Sequence, residues 1–291
     1  MDSLAVTILV GFTGSLLIAG AAYWKQSLSA SGLMAAVMLG TALYAAGSAA
    51  WFGTLIAFFV SSSLLSKWKS RRKAVAESGY AKSGRRDAGQ VAANGGIALL
   101  LCVCHAIWPH PGWWAAYIGV LATVTADTWA TEVGGLSSRP PRSIVTGRIV
   151  SAGTSGGVSA LGLAASAAGG LFIGVIGGLL ASVVTSSSNV AVAVDAVMAP
   201  ISGEQSIGFT LLLLIALISG MAGSLADSWL GAVLQVMYRC PACGRTVEKN
   251  RHCGAVAVRI RGLAWMTNDA VNAVSSLAGG ATALVLWRLL S

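Results

Sequence analysis

Apolar stretches of about 20 residues alternate with short polar or basic segments along most of the chain. A helix needs roughly 20 apolar residues to cross the hydrocarbon core of a bilayer, so this pattern predicts eight transmembrane helices. They are expected at residues 4–23, 28–46, 49–66, 88–108, 113–132, 154–184, 208–236 and 263–287. The sixth stretch is long and rich in glycine, and a tilted or broken helix there would leave a count of seven to nine.

The composition agrees with a membrane protein. Of the 291 residues, 55% are hydrophobic and 10% are charged, whereas a soluble domain carries about 25% charged residues. The expected fold class is therefore all-α, a polytopic bundle of membrane helices.

Lysine and arginine are clustered in residues 67–86, 139–148 and 239–261. These clusters follow the third, fifth and seventh expected helices, so all of them fall on one side of the membrane. The positive-inside rule assigns that side to the cytoplasm. We therefore expect a multi-pass protein of the plasma membrane with both termini and residues 186–207 outside. The basic loops are short and tied to helices, which argues against nucleic acid as a partner.

The same pattern divides the chain into five parts. They are N-terminal transmembrane helices (1–66), a basic cytoplasmic loop (67–87), a transmembrane core with an acidic site (88–236), a Cys/His cytoplasmic loop (237–262) and a C-terminal transmembrane helix (263–291).

Six acidic or amide side chains lie inside the stretches that read as membrane helix. They are Asn94, Asp127, Glu132, Asp227, Asn268 and Asp269. An ionisable side chain at the bilayer centre costs about 2.5–3.5 kcal/mol on insertion scales, and such residues usually mark a functional site. Carboxylate oxygens suit Mg²⁺, which takes one or two carboxylates and completes its shell with phosphate and water. Packing between helices through polar side chains is the alternative at each position.

Two of these acids occur in nearly identical four-residue motifs, Ala126-Asp127-Thr128-Trp129 and Ala226-Asp227-Ser228-Trp229. In the expected topology both helices run in the same direction, as in the parallel repeats of some transporters. A chance match within apolar sequence of low complexity remains an equal alternative.

A candidate anion site opens the fourth expected helix. Lys82, Arg85 and Arg86 precede it, and Asp87 and Asn94 share one helical face with Gln90. Cations at a helix N-terminus favour phosphate. The alternative is a positive flank in which Asp87 caps the helix, but that does not explain an asparagine two turns inside.

A second candidate phosphate site is the run Gly153-Thr154-Ser155-Gly156-Gly157, which follows Arg142 and Arg148. Small residues at a helix start let backbone N–H groups approach phosphate oxygens, although such residues also form packing seams in membranes. Asn268 and Asn272 lie on one face of the last expected helix, beside Asp269, and are candidates for the same site.

The last basic loop contains four potential soft metal ligands in a segment of 14 residues: Cys240, Cys243, His252 and Cys253. A C-x₂-C pair with a further His and Cys fits tetrahedral Zn²⁺. With all four positions filled by protein, the ion would be structural rather than catalytic.

Several of these short sequence motifs follow one another along the chain. They are Arg85-Arg86-Asp87, Asn94-Gly95-Gly96, Ala126-Asp127-Thr128-Trp129 with Glu132, Gly153-Thr154-Ser155-Gly156-Gly157, the Asp227 helix, and Trp265 with Asn268-Asp269 and Asn272. Over about residues 30–290 the chain resembles the integral membrane family known as domain of unknown function 92. That family includes animal transmembrane protein 19 and a plant phytyl-phosphate kinase.

The resemblance implies a CTP-dependent kinase that converts an isoprenyl monophosphate, such as a phytyl-type lipid, to the diphosphate. Mg²⁺ would be held by Asp127, Glu132, Asp227 and Asp269. Phosphates would be neutralised by Lys82, Arg85, Arg86, Arg142 and Arg148. A transporter or flippase of a lipid phosphate or ion is the alternative function, because midplane acids and parallel repeats also fit it. The sequence leaves the chain length of the lipid and the oligomeric state open.

Overall fold

The computed structural model describes residues 3–68, 84–191 and 207–291. This part of the chain forms eight helices, which confirms the expected polytopic helix bundle. They are α1 (Ser3–Trp24), α2 (Ala30–Ala46), α3 (Ala49–Lys67), α4 (Ala88–Ile107), α5 (Pro111–Gly134), α6 (Ala160–Ala191), α7 (Phe209–Val233) and α8 (Asn268–Leu290). All but α2 and α5 are long and apolar enough to cross a membrane.

Two helix starts differ from the prediction. Helix α6 begins at Ala160 instead of residue 154 and continues unbroken to Ala191, so the broken-helix alternative is wrong. The expected outside loop therefore begins later than residue 186, and residues 192–206 lie outside the described part of the chain. Helix α8 begins at Asn268 instead of residue 263, because the Thr267 side chain accepts a hydrogen bond from the Ala270 N–H and caps it.

Short antiparallel strands occupy two of the connections. Between α5 and α6, β1 (Arg142–Ser143) pairs with β2 (Gly157–Val158). Between α7 and α8 lie β3 (Met237–Arg239), β4 (Thr246–Val247), β5 (Arg251–His252), β6 (Ala255–Val256) and β7 (Val258–Arg261). Strand β3 is central in the sheet β4-β3-β7, and β5 pairs with β6. We call residues 237–261 the ribbon.

Helix α5 is the centre of the bundle. Its residues 114–126 are buried on every face, and it packs most extensively against α6, α7 and α8. At its N-terminal end Trp114 and Tyr117 stack at 5.3 Å and enclose Trp51 of α3. All three rings are fully buried, so this end of the bundle is closed by aromatic packing.

The connections α1–α2, α5–α6 and α7–α8 and the described ends of the α3–α4 connection lie at the opposite end of the bundle, which we call the loop end. The Lys67 Nζ donates to the Lys25 carbonyl, and the Arg86 N–H donates to the Ser27 carbonyl at 2.9 Å. The side chain of Ser155 bonds to Gln235 between the other two connections. Every described residue of the three basic clusters therefore belongs to the loop end.

Replacing Gly279 with alanine should destabilise the bundle. A Cβ on Gly279 would lie 1.8 Å from Thr123 Oγ1, and that hydroxyl already donates to the Gly119 carbonyl at 2.8 Å. Overpacking of this kind costs about 1–3 kcal/mol, which would appear as a lower thermal midpoint in detergent. Gly96→Ala is the matched control, because nothing lies within 4 Å of its Cβ position. Equal midpoints for the two variants would contradict the close α5–α8 packing.

Candidate functional site

A polar cavity of about 1420 Å³ opens at the loop end. It is surrounded by the last turns of α3, α5 and α7, the first turns of α4, α6 and α8, and the two β-containing connections. The predicted residues that line it are Arg86, Asn94, Asp127, Glu132, Thr154, Ser155, Asp227, Asn268, Asp269 and Asn272. Residues from six helices are therefore brought to one chamber.

Asp127 and Asp227 form the centre of the acidic group. The two carboxylates are close enough to repel each other, and the Ser224 side chain bonds to Asp127. Ser275 Oγ of α8 donates to Asp227 Oδ2 at 2.9 Å. The two hydroxyls orient the carboxyl groups, which lie beside each other at the end of α5 and α7.

Arg86 is a fixed cation in the wall of the cavity. Its guanidinium carbon lies 5.6 Å from the ring centroid of Phe58 and 5.7 Å from that of Phe59. Burial lowers the pKa of Arg86 to about 10, and the charge of Glu132 partly offsets this effect. With its pKa near 10, the side chain stays protonated at neutral pH.

The backbone around Arg86 is equally restrained. Its carbonyl accepts from the Ser29 N–H at 3.0 Å, and a Cβ on Gly32 would lie 2.1 Å from that carbonyl oxygen. Glu132, which also lines the cavity, accepts a hydrogen bond from Ser66 Oγ. Arg86 and Glu132 are thus both held by neighbouring helices before any ligand arrives.

The Gly-Thr-Ser-Gly-Gly run lines the cavity, but it is not the start of a helix as predicted. Thr154 and Ser155 lie in the loop ahead of β2, and α6 begins only at Ala160. Gly156 has a φ of +82°, and a Cβ there would lie 2.4 Å from Ala232 Cβ. The loop therefore rests on the end of α7 in a conformation that favours glycine.

The predicted phosphate-binding basic residues divide into two groups. Arg86 lines the cavity, whereas Arg85, Arg142 and Arg148 are exposed and do not contribute to its lining. Arg142 donates to the Gly147 carbonyl at 3.0 Å within its own loop. Lys82 lies outside the described residues.

Asp87 caps α4. It accepts from the Gln90 N–H at 3.0 Å, and the Gln90 side chain reaches back to the Asp87 N–H. This capping box gives Asp87 a structural role at the start of the helix. Gln90, which shares its helical face, lines the cavity instead.

Sequence reasoning missed residues of the loops. Gln235 and Glu248 both line the cavity, and so does Arg139, which belongs to the predicted basic cluster at residues 139–148. Gln235 Nε2 donates to Glu248 Oε1 at 2.9 Å, and Ser155 Oγ donates to Gln235 Oε1 at 2.7 Å. The charge of Glu248 also acts on Asp227, so the ribbon supplies a fifth carboxylate. Its position beside the metal-ligand motif was the only signal in the sequence.

The four predicted zinc ligands come together in the ribbon. The Sγ atoms of Cys240, Cys243 and Cys253 and a ring nitrogen of His252 all lie within 4.8 Å of one another. The hydrogen bond with His252 lowers the pKa of the Cys240 thiol to about 6.

An apolar groove runs between α1, α2, α3 and α4 beside the cavity. It encloses about 60 Å³ and is lined by aromatic rings including those of Phe52, Phe58 and Phe59. Arg86 and Asn94 line both spaces. The groove therefore reaches the polar cavity at the fixed cation.

Comparison with known proteins identifies related chains. The family model of integral membrane protein DUF92 matches residues 13–280. Protein PGR of Arabidopsis thaliana is 31% identical over 279 residues, which is 90% of each chain. An uncharacterized membrane protein of Methanocaldococcus jannaschii is 28% identical over 173 residues, 60% of this chain and 58% of its own. Another, from Synechocystis sp., is 32% identical over 159 residues, 53% of this chain and 60% of its own. No solved structure matches the chain.

Proposed function

The chain belongs to the DUF92 family of integral membrane proteins, and on that premise we propose that it is a prenyl-phosphate kinase. The reaction moves the γ-phosphoryl group of a nucleoside triphosphate, CTP, onto an isoprenyl monophosphate in the membrane. The observation that carries the proposal is the cavity itself. One polar chamber joins a carboxylate cluster, a fixed arginine and an apolar groove at a single end of a membrane bundle.

The carboxylates fit a divalent cation. Asp127 and Asp227 repel each other and Glu248 adds further negative charge, so a cation among them would relieve the repulsion. We assign Mg²⁺ to Asp127, Glu132, Asp227 and Asp269, whose oxygens are the hard ligands this ion prefers. When bound, Mg²⁺ would neutralise charge on the transferring phosphoryl group.

The junction of groove and cavity fits the lipid phosphate. Arg86 would face the phosphate, with the amides of Gln90 and Asn94 as hydrogen-bond partners, and the first carbons of the tail would enter the groove. The enclosed 60 Å³ is too small for a whole isoprenoid, so the rest of the tail would lie between lipid and protein. A planar guanidinium suits a phosphate because it can donate two parallel hydrogen bonds.

The remaining polar wall fits the nucleotide. Thr154 offers its hydroxyl, and Asn268 and Asn272 of α8 offer amides. Arg139 lies at the edge of the chamber, and the exposed Arg85, Arg142 and Arg148, with Lys82, would attract the triphosphate from solution.

The proposed step needs little covalent help from the protein. An anionic oxygen of the lipid monophosphate attacks the γ-phosphorus, the bond to the β,γ-bridging oxygen breaks, and the nucleoside diphosphate leaves. Because the attacking oxygen is already charged, no strong general base is required, and catalysis is positioning with electrostatic stabilisation.

The geometry favours an enzyme over a transporter. A transported substrate must reach its site from both sides of the membrane, but the helix segments that line the cavity all belong to the loop end. The other end of α5 is filled by buried Trp51, Trp114 and Tyr117. The basic residues of the loop end support a cytoplasmic orientation in the plasma membrane, where soluble nucleotide is available.

The test is a transfer assay. Detergent-purified protein is incubated with Mg²⁺, a γ-labelled nucleotide (CTP, then ATP) and phytyl, geranylgeranyl or undecaprenyl monophosphate. We expect label in a lipid diphosphate, and we expect its loss when Mg²⁺ is removed with EDTA and its return when Mg²⁺ is added back. Absence of label for every pair, with folded protein that still binds Mg²⁺, would contradict the kinase and favour lipid-phosphate transport.

A further inference from the structure

We propose that the ribbon holds one structural Zn²⁺ through Cys240, Cys243, His252 and Cys253, and that this ion fixes the wall of the cavity that carries Glu248. The zinc site and its effect on the cavity wall are argued from the structure of the ribbon. Only a role of that wall in phosphoryl transfer rests on the proposed function.

The spacing of the ligand atoms is close to that of a tetrahedral zinc shell. Zn–S bonds of about 2.3 Å and Zn–N bonds of about 2.0–2.1 Å put ligand atoms about 3.5–3.8 Å apart. His252 Nδ1 lies 3.4 Å from Cys243 Sγ and 3.2 Å from Cys253 Sγ. All four ligand atoms lie within 4.8 Å of one another, and no fifth His, Cys, Asp or Glu of the described residues belongs to this group.

The ribbon backbone is shaped to present these ligands. The turn after Cys240 closes with the Gly244 N–H donating to the Cys240 carbonyl at 2.9 Å, and Gly244 has a φ of +70°. The second turn places Cys253 at a φ of +51°. A non-glycine residue in this region is strained and persists only where its surroundings fix it, and a bond from its sulfur to a metal supplies that restraint.

The ribbon has little else to hold it together. Its strands are two to four residues long, and Val256, Val258 and Ile260 expose about half or more of their surface. Val247 and Cys240 are among the few side chains that it buries. A unit of this size cannot form a sufficient apolar core and usually needs a metal or disulfide as a staple.

The metal-bound part is linked to the cavity by a short chain of contacts. Buried Val247 ends β4, and Glu248 follows it directly. Glu248 accepts from Gln235, and Gln235 accepts from Ser155 of the loop before β2. Both connections that form the cavity wall thus meet at Gln235, which is 2% exposed. Loss of the ion would free β4 and with it this junction.

Metal analysis of purified protein tests the site. We expect about one zinc per chain in the wild type, loss of zinc in Cys243→Ser and His252→Ala, and retention in His252→Cys, because Cys₄ is also a closed zinc site. Cys104→Ser, in α4 outside the ribbon, is the matched control and should retain zinc. A zinc-free wild type, or equal zinc in Cys243→Ser and Cys104→Ser, would overturn the site.

Hydrogen exchange tests the link to the cavity wall. In Cys243→Ser, amides of the ribbon and of residues 151–157 should exchange at least about tenfold faster than in Cys104→Ser, and His252→Cys should restore protection. Faster exchange confined to the ribbon would overturn the link. Neither measurement uses turnover, so a failed transfer assay with the expected zinc and exchange results would remove only the kinase.

Discussion

Replacing Asp127 with asparagine is expected to reduce phosphoryl transfer at least about a hundredfold while leaving the bundle folded. The carboxylate is a proposed Mg²⁺ ligand at the centre of the chamber, and loss of one preorganised electrostatic contact to a transition state costs about 10²–10³ in kcat. Asparagine has the same shape and removes one partner of the Asp127–Asp227 repulsion. The thermal midpoint should therefore stay constant or rise. Initial rates and thermal unfolding in the same detergent measure both quantities.

Asp227→Asn should behave in the same way, because Ser275 can still donate to its amide oxygen. Asp195→Asn is the control: it removes a carboxylate from the segment between α6 and α7, whose described ends lie away from the loop end. Normal turnover in Asp127→Asn would remove that residue from the metal role. A low rate accompanied by a lowered midpoint would indicate a structural role instead.

Replacing Arg86 with lysine is expected to lower kcat/KM for the lipid phosphate about a hundredfold and to leave the nucleotide KM unchanged. The charge is retained, but lysine cannot lie flat over Phe58 and Phe59 and donate two parallel hydrogen bonds at once. Hydrogen bonds to charged groups contribute about 1.5–3 kcal/mol each, which accounts for the size of the effect. Steady-state rates with lipid and nucleotide varied separately distinguish the two parameters.

Arg288→Lys is the matched control, since Arg288 is an exposed arginine in the last turn of α8, at the other end of the bundle. Its kinetics should equal those of the wild type. A loss in Arg86→Lys that falls on the nucleotide KM instead would move the lipid phosphate away from the groove junction and place the nucleotide there.

Much of the fold could be predicted because a bilayer imposes a simple rule on the chain. Each of the eight helices appears within a few residues of its expected place, except at the start and end of α6 and at the start of α8. The two late starts have a common reason. Residues 154–159 and 263–267 are small or apolar enough to continue a helix, but Gly156 takes a left-handed conformation and Thr267 caps α8. A hydropathy pattern detects neither the left-handed conformation of a glycine nor a helix cap.

The candidate site was predictable where side chains sit on helices. Asp127, Asp227 and Asp269 could be grouped because the alternation of helices puts their ends on one side. Glu248 and Gln235 could not, because loop residues follow no period and their position depends on how the ribbon folds. Charge alone also failed to separate Arg86 from Arg142, since only Arg86 is fixed by neighbouring aromatic rings and backbone.

The central position of α5 has a consequence for how the protein is made. This helix has 24 residues, yet it is not among those apolar enough to cross a bilayer on their own. It carries Asp127 and Glu132, and its shielding neighbours α6, α7 and α8 are all synthesised after it. We therefore expect the stable insertion of α5 to be completed only when the later helices α6, α7 and α8 have packed around it.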